Sequence, residues 1–408
     1  MTECDLMQSF DRLVSGLMPV EEVERTALRP ARGRVLARAL TAPRDLPSQD
    51  QAAMDGYAVR AQDLASGARS LKVMGRALAG HDFGDRLAPG TCVRIMTGAS
   101  MPVGSDAVVV EEVAGPVVSG SVVLPGPVAL GANRRTRGEH VRAGEEVLPA
   151  GRRLRAADLA LACALGAVEL EVFRRLRVGV LSTGDELRDA PSELPAGCVF
   201  DSNRLMLRVA MDQANLAERD LGICPDDSRA LQRAVDTALQ EDLDALLISG
   251  GAALGDADVV RSFGGVEFVP VNVRPGRGIA VARIPGRHRN LLILGLPGNS
   301  VAAYVLFHTL ALPVLLSLAG SKTRPPLPIT MPIACNMQTR AGRIDFRRAR
   351  LVLDPGGRRV ADPLSQQGSG MIRSVSDAQA LIAVGPKAQY RAGDLLPVYL
   401  LASFEEAL

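Results

Sequence analysis

The sequence predicts a multidomain α/β protein: a three-layer α/β domain, an inserted β-rich module, an N-terminal helical body and a C-terminal β domain. Three observations carry that prediction. Strand-like runs at 177–182, 245–249 and 291–295 alternate with helical patterns at 204–217, 228–240 and 301–318, which implies right-handed βαβ units and a mostly parallel sheet covered on both faces. Short apolar runs broken by Gly and Pro fill 46–145 and return after Thr323-Arg324-Pro325-Pro326. The 408 residues exceed one ordinary domain and suggest about two to four.

The first forty-five residues read as helical, with Leu6, Phe10, Leu13 and Leu17 at helical spacing. Residues 46–145 form the β-rich module: Cys92–Met96 and Ala107–Val110 are short strands, and 117–124 is a hairpin around Ser119-Gly120. Residues 153–165 return to a helical pattern with Gly166 as its C-cap, so 1–45 and 146–175 together make the helical body. The α/β domain follows at 176–322. In the C-terminal β domain, 323–408, the turn Asp354-Pro355-Gly356-Gly357 separates two strand-like runs.

Composition excludes several function classes. Hydrophobic residues make up 47% and charged residues 23%, enough apolar content for real cores. A net charge of +2, 3% aromatics and no Trp argue against a nucleic-acid partner. Lys occurs only at 72, 322 and 387, so Arg supplies nearly all the positive charge. The six Cys form no C-x-x-C pair and have no His at metal-ligand spacing, which points to reduced thiols in the cytoplasm. The N-terminus lacks the basic and apolar regions of a signal peptide. Val301–Leu318 approaches the length of a membrane span, but it contains His308, Thr309 and Pro313 and follows a strand and a glycine turn. It reads as a helix buried against the sheet, and no membrane is expected.

Ligands of parallel sheets bind at the carboxyl ends of the strands, and three loops follow the predicted strands here. Ser182-Thr183-Gly184-Asp185-Glu186 offers hydroxyls and carboxylates. Ser249-Gly250-Gly251 lets backbone approach an anion, and the same loop continues to Asp256 and Asp258, suited to a divalent cation. Pro297-Gly298-Asn299 is a rigid turn into a helix. Arg274 and Arg277 in the segment 273–277 add guanidiniums suited to phosphate oxygens. Together these describe a site for a phosphorylated ligand and a hard metal. Taken singly, each loop is equally well explained as ordinary turn and cap chemistry.

The β module contributes Asp55 in AMDGYA, Thr97 in RIMTGA and the basic turn GANRRTRGEH at 131–140. The ordered series AMDGYA, RIMTGA, the basic loop, STGDEL, SGGxxxGxxD and GLPGN resembles the MoeA and gephyrin E-domain family over essentially the whole chain. The resemblance implies an elongated homodimer whose crevice lies between the α/β domain of one subunit and the β module of the other. It implies a transferase of molybdenum cofactor biosynthesis that inserts molybdenum from molybdate into adenylylated molybdopterin, with Mg²⁺-dependent release of AMP, in possible contact with the adenylylating enzyme. The family's acids match Asp55, Glu186, Asp226 or Asp227, and Asp258; its threonine near the oxyanion site matches Thr97. Its basic loop matches Arg135 and Arg137. On this reading Asp55, Thr97, Glu186 and Asp258 are catalytic, and Glu186, Asp226, Asp227 and Asp258 hold the metal. The pterin nucleotide falls to Ser182, Thr183, Gly184, Ser249, Gly250, Gly251, Arg274, Arg277, Pro297, Gly298, Asn299, Arg135 and Arg137.

The sequence departs from the family at functional loops. His140 stands where an acid is usual and Ala253 where a serine is; Arg274 and Arg277 replace lysines, Ser300 replaces proline, and Thr136 interrupts the arginine run. Two alternatives follow: a paralogue that binds or delivers molybdopterin, or inserts tungsten, without standard insertion activity, and a molybdopterin adenylyltransferase. The β module and the C-terminal β domain argue against the second.

Overall fold

A computed structural model describes residues 3–250, 266–322, 324–338, 342–385 and 389–401. The chain forms two compact units: residues 1–37, 151–155 and 169–408 in the first, and 38–150 with 156–168 in the second.

In the first unit, α1 (Glu3–Val14) buries Leu6, Phe10 and Leu13, the stripe its spacing predicts. The rest of the expected helical body differs. Gly16, Pro19 and Pro30 break the helical pattern, and β1 (Val23–Ala27) pairs antiparallel with a strand at Glu169–Phe173.

The second unit is the β module. Strands β2 (Gly56–Val59), β3 (Ser70–Ala77), β4 (Thr91–Ile95), β5 (Ala107–Val110), β6 (Val117–Val118) and β7 (Ser121–Val123) form one sheet in the order β5-β2-β4-β3-β7-β6. Ser119 and Gly120 both take positive φ (49° and 76°), the requirement of a two-residue hairpin turn, as the sequence suggests. Helix α2 (Ala156–Ala164) ends where expected: Gly166 has φ 87°, and the Ala167 amide donates back to the Ala162 carbonyl.

Back in the first unit, β8 (Glu169–Phe173), the partner of β1, leads into the α/β domain. Its elements are β9 (Arg177–Thr183), α3 (Ser202–Gln213), β10 (Ala217–Cys224), α4 (Ser228–Gln240), β11 (Ala245–Ser249), β12 (Glu267–Pro270), β13 (Gly278–Ile284) and β14 (Leu291–Leu296). The sheet order is β10-β9-β11-β14-β13-β12, with β10, β9, β11 and β14 parallel and the last two strands antiparallel. Leu207 and Met211 of α3 pack with Val178 and Val180 on one face. Leu231, Val235 and Ala238 of α4 pack with Leu181, Leu246 and Ile248 on the other. Both faces are covered, as a parallel sheet requires.

The apolar run after β14 becomes α5 (Ser300–Leu306), a π turn at Phe307–Ala311, and α6 (Leu312–Leu318). Pro313 has no amide to donate and its ring crowds the carbonyl four residues back, which accounts for the widened turn. The segment is long and apolar enough to cross a membrane, yet 78% of it is buried inside the first unit. The C-terminal strands β15 (Ile329–Pro332), β16 (Ile344–Leu353), β17 (Arg359–Pro363), β18 (Ala380–Val384) and β19 (Leu395–Leu400) form a sheet that also takes in Val273–Arg274, parallel to Ile344–Asp345. The β16–β17 hairpin turns at 354–357 as predicted.

Asp244 lies at the amino end of this parallel sheet with its side chain 1% exposed. It accepts both terminal nitrogens of Arg174 (2.7 and 2.8 Å) and the Arg177 amide (2.8 Å), with the Arg289 Nε at 3.3 Å. Asp244→Ala removes the buried acceptor and leaves the largely buried guanidiniums of Arg174 and Arg289 with only the half-exposed Glu22 as counter-charge, an expected cost of about 3 kcal/mol. A urea titration followed by far-UV circular dichroism reads it. An unchanged midpoint would refute the network's structural role.

Candidate functional site

The chain passes from β9 to β10 through α3 on one face and returns past β9 to β11 through α4 on the other, so the switch point of the sheet, where ligands of such sheets bind, lies between the carboxyl ends of β9 and β11. Ser182 sits beside Ser249, and Ser249 beside Leu296, in register. Ser182 and Thr183 are buried, and their hydroxyl oxygens have no partner among the described residues. Gly250 has φ 97°, and a Cβ there would stand 2.4 Å from the Thr183 carbonyl oxygen. Only glycine fits. Its amide donates to the Leu296 carbonyl (3.1 Å), which ties the second loop to the Pro297-Gly298-Asn299 turn.

The acids of the crevice divide by task. Asp185 Oδ1 accepts the Asp226 amide (3.2 Å), bringing the first loop against the segment after β10. A Cβ on Gly184 would lie 2.5 Å from Glu186 Oε2, so the exposed Glu186 carboxylate folds over its own loop. Asp227 caps α4 through the Ala230 amide (2.8 Å), and Asn299 caps α5 through the Ala302 amide (3.2 Å). Among the described residues no three metal-capable side chains cluster. Gly251, Ala253, Asp256 and Asp258 lie outside the described residues.

Arg274 and Arg277 depart from the expectation of a single crevice. They line a cleft of about 1090 Å³ with Gln338, Arg343, Asp345, Arg347, Arg348, Gln367 and Ser369, which includes no described residue of the three strand-end loops. The pairing of Val273–Arg274 with β16 places them there. Gly276, at φ 103°, leans on Leu306 of α5, where a Cβ would approach to 2.8 Å. Of the five guanidiniums only Arg347 has a carboxylate partner among the described residues, Asp345 at 2.8 Å. Arg348 is 1% exposed; it donates to Ser374 Oγ (3.0 Å) and the Gly368 carbonyl (3.1 Å), and burial pulls its pKa down. Such a concentration of unpaired cations calls for an oxyanion. Sequence reasoning missed Arg348, although Ile344, Phe346 and Arg348 alternate on the buried face of β16.

In the β module the motifs meet. Asp55 Oδ1 accepts both the amide and the hydroxyl of Thr97, each at 2.7 Å. These bonds, with help from the Arg94 charge, hold the Asp55 carboxyl below its ordinary pKa. Gly56 has no room for a Cβ, which would fall 2.0 Å from the Val109 carbonyl oxygen. The basic loop joins through Ala53, whose amide donates to the Asn133 carbonyl (2.8 Å). Arg137 is committed to Asp45, whereas the exposed Arg135 has no partner among the described residues. His140 is exposed, its amide donating to the Leu46 carbonyl.

Comparison with known proteins accounts for nearly the whole chain. Residues 5–166 match the MoeA N-terminal region (domain I and II), 179–317 the probable molybdopterin binding domain, and 330–401 the MoeA C-terminal region (domain IV). The molybdopterin molybdenumtransferase of Haemophilus influenzae is 33% identical over 93% of this chain and 94% of its own. Molybdopterin molybdenumtransferase 2 of Mycobacterium tuberculosis is 36% identical over 85% of this chain and 87% of its own. The crystal structure of the molybdopterin biosynthesis moeA protein from Pyrococcus horikoshii OT3 superposes with a TM-score of 0.79 at 26% identity, covering 97% and 99% of the two chains.

The Asp55–Thr97 geometry generates a titration test. Because the pair depresses the Asp55 pKa, the ionised form persists below the usual range near 3.9 and protonates only as pH falls further. Thr97→Val removes the hydroxyl donor and should move the Asp55 titration up toward that value, as followed by carboxyl-carbon NMR. An unmoved titration would discount the hydroxyl's part.

Proposed function

The chain belongs to the MoeA family of molybdopterin molybdenumtransferases, and from that premise we propose that it inserts molybdenum from molybdate into adenylylated molybdopterin, releasing AMP. The observation that carries the reading is the Arg274–Arg348 cleft. Arg274, Arg277 and Arg343 have no partner among the described residues, and a buried Arg348 stands beside them. Such a cleft suits a tetrahedral oxyanion such as molybdate, because planar guanidiniums grip paired oxygens in a way a hydrated ammonium does not.

The strand-end crevice suits the nucleotide. Buried hydroxyls of Ser182 and Thr183 can donate to phosphoryl oxygens, and Gly250 allows close approach of backbone. The donors there are hard oxygens, fitting Mg²⁺, which takes one or two carboxylates and leaves the remaining positions to phosphate and water. Glu186 and Asp226, with Asp258, would hold it; bound there, it would neutralise charge on the scissile anhydride. Asp227 gives one carboxylate oxygen to its cap and keeps the other. Asp55, fixed by two donors from Thr97, is an oriented anion at pH 7.

The same reading makes the protein a cytoplasmic homodimer supplied by the pathway's adenylylating enzyme. Leu205 and Val209, one turn apart on α3, are 64% and 50% exposed, apolar surface of the kind a second copy would cover. Cys92, Cys163, Cys198, Cys224 and Cys335 are free thiols, in keeping with a reducing compartment.

The test is insertion in vitro with purified protein, adenylylated molybdopterin, molybdate and Mg²⁺, following AMP release and reconstitution of an apo-molybdoenzyme. Both signals are expected; binding without AMP release would replace the reading with a cofactor-carrying one. Asp55→Ala and Glu186→Ala should each abolish insertion with the fold intact by circular dichroism, and normal turnover in either would refute its assignment. Arg274→Ala with Arg277→Ala should raise the molybdate KM by about tenfold or more, the loss expected for charge-assisted contacts. An unchanged KM would remove molybdate from the cleft.

A further inference from the structure

Asn203 lies in the first turn of α3, and its side chain bridges two loops of the strand-end crevice. Nδ2 donates to Ser249 Oγ at 2.9 Å and to the Gly298 carbonyl at 2.7 Å. A carbonyl can only accept, so the Gly298 contact fixes which end of the carboxamide carries the nitrogen. Ser249 is thereby an acceptor toward Asn203, and its own O–H is left to donate elsewhere. Among the described residues nothing accepts it. Ser249 is 2% exposed and Asn203 7%, and Asn203 Oδ1 has no donor among the described residues.

The backbone beneath Asn203 is pinned. Asp201 caps α3 through the Arg204 amide (3.1 Å) and holds the Arg204 Nε (3.0 Å). Arg204 Nη1 in turn grips both oxygens of Asp220 on β10 (2.7 and 2.8 Å). A carboxamide on so fixed a turn has little freedom.

We infer that Asn203 is a positioning residue that turns the Ser249 hydroxyl into a hydrogen-bond donor toward a phosphoryl oxygen of the substrate, and holds the Gly298 turn against it. The inference rests on the nucleotide reading of this crevice. Asn203→Asp keeps the shape and inverts the polarity: a carboxylate repels the Gly298 carbonyl and draws the Ser249 proton back to itself.

The experiment is a double-mutant cycle on the full chain, with AMP as probe and affinity read by calorimetry. Asn203→Asp and Ser249→Ala should each weaken AMP about tenfold, and the double variant should be no weaker than either single one. Asn203→Ser, which removes the same bridge without a buried charge, replaces Asn203→Asp if that variant does not fold. A purely structural role would lower the melting temperature while leaving AMP affinity intact in the folded fraction, or would give additive losses; either result overturns the inference alone. Wild-type protein with no AMP affinity overturns the nucleotide reading together with it.

Discussion

The architecture of the α/β domain turns on one buried carboxylate. Asp244 receives Arg174, Arg289 and the Arg177 amide, and its own carbonyl accepts the Leu292 amide (3.1 Å). One residue thus holds the amino ends of β9, β11 and β14. Arg174 and Arg289 also reach Glu22, which draws in the segment before β1 and helps hold the Glu22 carboxyl below its ordinary pKa. Register fixed at one end of a parallel strand persists to the other. Val178 opposite Ala245 puts Ser182 opposite Ser249, and Ala245 opposite Leu292 puts Ser249 opposite Leu296. A slip of one residue would turn those hydroxyls to the wrong face. The ion network is a buried structural device on one side of the sheet, and the crevice chemistry on the other side depends on it.

At the crevice, stability is given up for ligand geometry. Among the described residues the buried hydroxyls of Ser182 and Thr183 and the acceptor of Asn203 have no partner, and each forgoes there the stabilisation a hydrogen bond would bring. The Arg cleft shows the same trade with charge. Arg348 is held by one hydroxyl and backbone carbonyls, with no carboxylate in direct contact among the described residues. A bound anion would repair these deficits, so substrate binding should be driven partly by the relief of desolvated groups.

Much of this was legible in the sequence. The three central strands, their loops, both hairpin turns and the Gly166 cap follow from local apolar runs and turn chemistry, and the motif series located Asp55 and Thr97 before any contact between them was visible. What escaped depends on distant partners. β10 reads as polar because Arg219 pairs with Glu241, and because Glu218 and Asp220 meet Arg208 and Arg204 across the helix. β1 exists only through its pairing with β8, some 146 residues away for Arg25 and Glu171. Arg348 is buried by Ser374 and the 366–368 turn, and Asn203 gains its role from two loops that lie far along the chain.

The departures from the family pattern take on a physical sense in the cleft. Lysines at 274 and 277 would be compact, strongly hydrated charges. Among the described residues Arg274 and Arg277 share their cleft with Arg343, Arg347 and Arg348 and one carboxylate, Asp345. Arginine at both positions carries the same positive charge as lysine would. The replacements therefore preserve the cationic field rather than weaken it. What changes is geometry, from point charges that follow an anion to planar forks that orient it, and any loss or gain in the handling of an oxyanion should appear as orientation rather than as charge.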